Sequence, residues 1–346
     1  LGFKSSLALA KGPELALTTP YLMFLGDAPD QLAAKTASGV VYWRPEICFG
    51  QLKLDGCNAD LGLEDMTLEE AADAGCKTLV VGVANRGGLI SELWIETIVR
   101  AIELGMNVAS GLHHKIADVR EIAAAAEKHG AELTDARHPT RSFAVASGKK
   151  RAGRRLLTVG TDCSVGKMYA ALAIEREMKA RGMKATFRAT GQTGIFIVGE
   201  GVSVDAVVAD FISGATEWLC PENDADHWDV IEGQGSLFHA SYAGVSMGLL
   251  HGAQADTLIM CHEPTRTHMR GLPDYPLPDL GACIRANEEA ARLTNPDAVC
   301  VGIAVNTHAL APNEAELFLK KTEDQHGLPT VDPVTTGVAP IVDRLG

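Results

Sequence analysis

Short apolar runs alternate along this chain with longer amphipathic segments, and polar or glycine-rich turns separate them. Tyr21–Leu25 is an apolar run ending at Gly26-Asp27, and Val40–Trp43 is another, closed by Arg44-Pro45. Lys77–Val83 is a continuous apolar run, the pattern of a strand covered on both faces of a parallel sheet. The polar turn Asn85-Arg86-Gly87-Gly88 follows it. Thr67–Ala74 reads as a helix with Thr67 as cap and Glu70 three residues on, a capping-box spacing. A second helix is predicted from about Ser91 to Leu104, with Gly105 ending it. Asn107–Ser110 is the next strand, and Gly111-Leu112-His113-His114 leads into an alanine-rich helix, Ala117–His129. Strand and helix in alternation predict a parallel sheet with helices on its faces. The turn after Val83 lacks G-x-G-x-x-G, so this Rossmann-like domain is given no cofactor.

The stretch Ser147–Arg155 is basic and rich in small residues and reads as a solvated linker. The expected division is therefore 1–148 and 149–346. The second domain repeats the alternation. Strands are predicted at Lys184–Arg188, Val204–Ala209, Trp228–Ile231, Thr257–Cys261 and Ala298–Val305. Helices are predicted near Ser241–His251, Ala282–Leu293 and Asn313–Gln325. The fold class is α/β: a Rossmann-like domain followed by a P-loop, NTPase-like parallel-sheet domain.

One strand of the second domain ends in chemistry. An apolar run closes at Gly160, and Thr161-Asp162-Cys163-Ser164-Val165-Gly166-Lys167 follows, which fits G-x-x-x-x-G-K. Lys167 opens an amphipathic segment with Met168, Ala171, Ile174 and Met178 on one stripe. Strand, curled loop and helix start together make a nest of backbone N–H groups, to which the lysine adds a full positive charge. The position after the lysine holds Met168 instead of the Ser or Thr whose hydroxyl ligates Mg²⁺. The phosphate nest is intact, but that metal ligand is absent.

The chain has 346 residues and a net charge of −13. That charge argues against nucleic acid and against an anionic membrane surface as partners, and an anionic ligand needs a local positive pocket. The eight cysteines show no paired C-x-x-C spacing and read as reduced, cytosolic thiols. No apolar run reaches transmembrane length, and Leu1–Leu9 lacks the hydrophobicity and basic flank of a signal peptide. A cytoplasmic homo-oligomer acting on a small molecule is the expectation.

In a parallel sheet, ligands sit beyond the carboxyl ends of the strands. Five predicted strands there carry polar groups: Arg188 with Gln192 and Thr193, then Asp210, Glu232 with His239, His262 with Arg266, His268 and Arg270, and Asn306–His308. Glu232 and Asp210 are candidate general bases, with His239 and His262 as alternatives. Arg188, Arg266 and Arg270 are candidates for gripping a dicarboxylate, with Gln192 and Thr193 beside them. Cys163 lies between Lys167 and a helix start, surroundings that lower a thiol pKa. Cys261, His262 and His268 match no zinc template, so no metal is expected.

Two resemblances follow from these motifs. Gly160–Lys167 and the turn Glu232-Gly-Gln-Gly are similar to those of dethiobiotin synthetase-like enzymes, which use ATP and Mg²⁺ to activate a carboxylate. Met168 departs from their threonine. A second resemblance covers nearly the whole chain: it resembles the D-glutamate N-acetyltransferase family. The similar motifs are Gly160-Thr-Asp-Cys-Ser-Val-Gly-Lys-Met-Tyr169, Arg188-Ala-Thr-Gly-Gln-Thr-Gly194, Ile231-Glu-Gly-Gln-Gly-Ser236 and His262-Glu-Pro-Thr-Arg266. Lys-Met-Tyr is particular to this family. The resemblance implies acetyl transfer from acetyl-CoA to the amine of a D-amino acid, typically D-glutamate. The nest and Lys167 suit the phosphates of coenzyme A without Mg²⁺, and N–H groups near Gly233–Ser236 are candidate oxyanion donors. The alternatives are an ATP- and Mg²⁺-dependent ligase or kinase, and a non-catalytic nucleotide- or CoA-binding protein.

Overall fold

The computed structural model describes residues 17–83 and 90–346. The Leu1–Leu9 start and the Asn85–Gly88 turn lie outside the described residues. Tertiary contacts divide the chain into two compact units: 1–135 with 195–201, and 136–194 with 202–346.

The first unit contains β1 (Tyr21–Gly26), α1 (Lys35–Trp43), β2 (Cys48–Lys53), α2 (Leu68–Asp73), β3 (Thr78–Val81), α3 (Glu92–Glu103), β4 (Asn107–Ser110), α4 (Arg120–His129) and β5 (Leu133–Asp135). Its five strands run parallel in the order β2-β1-β3-β4-β5. Every residue of β1 and β3 is buried, as continuous apolar runs require. The capping box of α2 is formed in full: Glu70 N–H donates to Thr67 Oγ1, and the Glu70 carboxylate accepts from Thr67 N–H. Ser91 caps α3 by accepting from Trp94 N–H. The apolar run Val40–Trp43 is the end of α1, and two strands, β2 and β5, carry no strong apolar signature.

The second unit contains β6 (Arg154–Gly160), α5 (Lys167–Ala180), β7 (Ala185–Arg188), α6 (Gln192–Val198), α7 (Ala209–Leu219), β8 (Trp228–Ile231), α8 (Ala243–Ala253), β9 (Thr257–His262), β10 (His268–Met269), β11 (Leu272–Pro276), α9 (Leu280–Arg292), β12 (Val299–Val305), α10 (Pro312–His326), β13 (Thr330–Val331) and α11 (Ala339–Val342). The last residues of α6 group with the first unit. Six strands run parallel in the order β13-β12-β9-β6-β8-β7. β6 is central. The chain builds one side of the sheet with β7 and β8, then crosses to β9, β12 and β13. The crevice at such a reversal is where open α/β sheets bind ligands. β10 and β11 form a separate antiparallel hairpin.

Two expectations are corrected. Val204–Ala209 is not a strand: a 3-10 turn covers Val204–Ala206, and α7 starts at Ala209. The buried residues Ile212, Ala215, Thr216 and Leu219 recur at helical spacing and hold α7 to the core. Ser147–Arg155 is a solvated linker only in part: Arg151 and Arg155 are buried. The Arg151 guanidinium donates to Glu217 O and Cys220 O at the end of α7 and to Gly252 O and Ala253 O at the end of α8. Helix C-terminal carbonyls lack intrahelical donors and carry partial negative charge, so one cation serves two helices. Among the described residues, no helix is long and apolar enough to cross a membrane.

Candidate active site

The site is built on the exit of β6. Thr161 N–H donates to Cys261 O at 3.0 Å, which extends the sheet pairing one residue into the loop. The backbone then curls. Ser164 and Gly166 both have positive φ, 54° and 100°. Gly166 has no Cβ to oppose that conformation. The first helical bond of α5 runs from Ala170 N–H to Gly166 O, so Lys167 and Met168 N–H have no intrahelical acceptor and remain free for an anion at the helix start. Lys167 is buried and folds back over its own loop, with Nζ donating to Asp162 O at 2.8 Å. Burial pushes its pKa down, so the ammonium gains from any phosphate that reaches it.

Glu232 follows β8 and is buried. Its Oε2 accepts from Thr190 N–H at 2.9 Å and Gly191 N–H at 3.2 Å. Burial outweighs these bonds and the nearby Lys167 charge, and raises the carboxyl pKa to about 7. A carboxyl poised there takes and returns protons near neutral pH. The residue after it lies against β6. A Cβ on Gly233 would come within 1.7 Å of Thr158 O and 2.9 Å of Lys167 Cδ, so only glycine lets the Glu232 turn approach the lysine. Gly233 N–H donates to Thr158 Oγ1 at 2.9 Å, and Ser236 Oγ donates to Thr161 O at 3.1 Å. The Gly233 N–H is thus occupied, which leaves Gln234, Gly235 and Ser236 as the oxyanion candidates of that turn.

Asp162 is fully buried and ties the loop to what surrounds it. Its Oδ1 accepts from Cys163 N–H at 2.6 Å. Its Oδ2 accepts from Arg266 Nη1 and from Arg270 N–H, each at 2.8 Å. Arg266 also donates to Cys163 O at 2.6 Å, Ser164 O at 2.7 Å and, through Nε, Glu263 Oε2 at 2.9 Å. That fork is engaged with the phosphate loop, not open to a dicarboxylate. Arg188 is engaged too, in a buried pair with Asp229 at 2.7 Å. Arg270 is exposed, and its Nη1 donates to Ser164 Oγ.

The two histidines differ from free bases. His262 Nδ1 lies 3.0 Å from Thr161 Oγ1, its ring stacks on Phe318, and burial lowers its pKa to about 4. It stays neutral. His239 Nδ1 accepts from Ser241 N–H at 3.1 Å, which puts the proton on Nε2, and Nε2–H donates to Arg270 O at 3.0 Å. Both ring nitrogens are therefore satisfied by the protein. Asp210 does not sit at a strand end. It is an exposed residue in the first turn of α7. Gln192 and Thr193 open α6, half-buried, directly after the Thr190-Gly191 pair that holds Glu232. Cys163 is not activated, because burial raises its thiol pKa against the pull of Lys167. Asp162, Cys163 and His239 bring ligating atoms within 4.8 Å of one another. A cation there would have to displace the donors on Asp162 and the bonds of His239.

Sequence reading missed three supporting residues. Asp229 stands inside the apolar run Trp228–Ile231, and an acid there signals a buried cation partner. Glu263 braces Arg266. Asp332 is buried and accepts from Thr307 N–H at 3.0 Å and from Thr307 Oγ1, which fixes the loop after β12.

Residues 144–342 match a P-loop domain described as a domain of unknown function, DUF1611_C, and residues 52–139 match its Rossmann-like partner, DUF1611_N. The chain is 58% identical to a D-glutamate N-acetyltransferase of Tritonibacter scottomollicae, over 95% of this chain and 99% of that protein. It is 49% identical to a D-glutamate N-acetyltransferase of a Pseudoalteromonas species, over 96% of this chain and 100% of that protein. Among solved structures it is similar to a DUF1611 family protein from Anabaena variabilis, with a TM-score of 0.84 and 30% identity over 94% of this chain and 98% of that one.

Proposed function

The chain belongs to the DUF1611 family, the family of the D-glutamate N-acetyltransferases, and from that premise we propose that it moves the acetyl group of acetyl-CoA to the amine of D-glutamate. The observation that carries the reading is Glu232: a buried carboxyl with a pKa of about 7, packed beside the phosphate-loop lysine. The nest of Gly160–Met168 with Lys167 holds the phosphates of coenzyme A. Glu232 takes a proton from the ammonium of the amino acid. The free amine attacks the thioester carbonyl, and N–H groups of the turn Gln234–Ser236 receive the oxyanion. Collapse breaks the carbon–sulfur bond. The nitrogen gives up two protons in all: one ends on the departing thiol and one goes to solvent.

Gln192 and Thr193 directly follow the Thr190 and Gly191 N–H groups that hold Glu232 and are the polar groups proposed to face the amino acid. Asp162 and Arg266 hold the phosphate loop in shape, and Arg188 and Asp229 brace the strands beneath it. Met168 offers no oxygen to Mg²⁺, so acetyl transfer is expected to proceed without it. Eight free thiols suit the cytoplasm.

Thiol release from acetyl-CoA with D-glutamate, L-glutamate, D-aspartate and D-alanine, with and without EDTA, tests this reading. Release with D-glutamate that EDTA leaves intact is expected. No release with any acceptor, together with ATP binding that EDTA abolishes, would overturn it in favour of a ligase.

A further inference from the structure

A phosphate loop without a magnesium ligand faces an electrostatic problem. A diphosphate carries at least two negative charges, and Lys167 supplies one positive charge. Asp162 and Glu263 add two buried negative charges beside the loop, and the single guanidinium of Arg266 answers both, at 2.8 and 2.9 Å. In magnesium-dependent loops the metal supplies the missing charge through the hydroxyl after the lysine. Met168 closes that route. The loop nevertheless has a second cation at its rim. Arg266 and Arg188 are engaged with protein acceptors, whereas the exposed Arg270 guanidinium meets, among the described residues, only Ser164 Oγ of the loop itself.

The main chain of Arg270 is fixed on both sides. Its N–H donates to Asp162 Oδ2 at 2.8 Å, and its C=O accepts from His239 Nε2 at 3.0 Å. His239 is in turn held by Ser241 N–H, and its ring lies against Tyr242 with centroids 4.6 Å apart. A backbone bolted to the phosphate loop at one side and to the turn after Glu232 at the other delivers its side chain to one place. We infer that Arg270 is the second phosphate-binding cation of this site, supplying the charge that Mg²⁺ supplies in other phosphate loops, and that His239 is a positioning residue that aims it. The ligand class is a diphosphate of the coenzyme A type. The inference rests on the acetyl-CoA reading above and deepens it. An arginine suits the task because its fork bonds two phosphate oxygens at once, and it needs no coordination shell.

The test compares acetyl-CoA with S-acetylpantetheine, which carries the same thioester and no diphosphate, at saturating D-glutamate. Arg270→Gln should raise KM for acetyl-CoA roughly 10- to 100-fold, the loss of a charged hydrogen bond. KM for S-acetylpantetheine should move by less than about twofold, since nothing in it reaches the guanidinium. His239→Ala should shift KM for acetyl-CoA in the same direction, and His239→Gln, which keeps a donor near Nε2, should restore much of it. An increase in KM for D-glutamate with an unchanged donor ratio would overturn the inference and return Arg270 to the acceptor's carboxylates. Calorimetry with inorganic pyrophosphate separates this failure from that of the acetyl-CoA reading. If wild-type protein releases no thiol yet binds pyrophosphate, and Arg270→Gln abolishes that binding, only the donor assignment is lost. If both proteins bind pyrophosphate equally, Arg270 is not the second cation.

Discussion

The two units are built on the same plan of parallel strands and covering helices, yet they bury different things. Among the described residues, the buried polar side chains of the first unit are Thr36, Gln51, Thr78 and Ser110, all neutral. The second unit buries full charges, among them Arg155, Asp162, Lys167, Arg188, Asp229 and Glu232. Taking an ion out of water costs several kcal/mol unless partners compensate. A sheet that only needs to be stable has no reason to accept that cost. Asp162, Lys167, Arg188 and Glu232 stand at or just beyond the carboxyl ends of β6, β7 and β8, where the phosphate loop lies, whereas Arg155 sits at the opposite end of β6 and donates to the carbonyls of Arg151 and Ala152. Asp162 and Asp229 are paired with arginines, whereas Glu232 makes no ion pair among the described residues, and its pKa moves to about 7.

The sharpest way to break this contrast is Glu232→Gln. If Glu232 is the base proposed above, this change should lower kcat/KM by about 10²- to 10⁴-fold while KM for acetyl-CoA stays near the wild-type value. A variant that keeps full turnover would remove the reason for the buried acid. Next in size is the structural pair. Arg188→Met strands Asp229 in the core, and breaking such a pair costs about 3–5 kcal/mol. Calorimetry should show the second unit melting earlier and the first unit unmoved.

The pH dependence follows from two opposed shifts. Glu232 holds its proton up to about pH 7 in the folded state, against 4.5 unfolded, so its contribution is full below 4.5 and is lost as pH rises through 7. His262 titrates at about 4 folded against 6.5 unfolded, so stability is lost as pH falls from 6.5 toward 4. Across pH 4.5–6.5 the two slopes oppose each other. Glu232→Gln should leave a melting temperature that rises with pH in that window, and His262→Gln one that falls. Parallel profiles for both variants would show that neither group titrates as described.

Lys167→Ala should weaken binding of acetyl-CoA by roughly 1.5–3 kcal/mol, measured by calorimetry, because a charged donor to phosphate is gone. The smallest effect belongs to the first unit. Thr67→Ala removes a helix cap and should destabilise that unit by about 1 kcal/mol at any pH from 5 to 8. A pH-dependent loss there would mean that the first unit holds its own titrating partner.

Much of this was legible in the chain and some was not. The spacing from Gly160 to Lys167 defines the loop because backbone geometry fixes which residues can curl it. Glu232 was legible because an acid after an apolar strand beside glycines has few other uses. Asp210 misled because Val204–Ala209 is an apolar run too short to distinguish strand from helix. The helical recurrence of Ile212, Ala215 and Leu219 just beyond it was the better guide. The roles of the arginines were not legible, for a different reason. Spacing places Arg266 and Arg270 on one loop, but not which way each fork points, and only the inward bonds of Arg266 separate a brace from a ligand contact. The strands β2, β5 and β13 pair at sheet positions that local pattern does not encode.

The Arg151 clasp has a consequence for dissecting the molecule. The second unit cannot be excised at the start of its first strand. A fragment beginning at Arg154 would leave the last carbonyls of α7 and α8 without their shared donor. It would also lose the Ser147 and Gly148 N–H bonds to Glu217, at 2.7 and 2.9 Å, and the chain at Ala144, whose carbonyl lies so close to Gly214 that a Cβ there would meet it at 1.8 Å. The twenty or so residues that precede the sheet act as a belt around α7, and a cut that respects the phosphate loop must fall upstream of the belt, near Ala136.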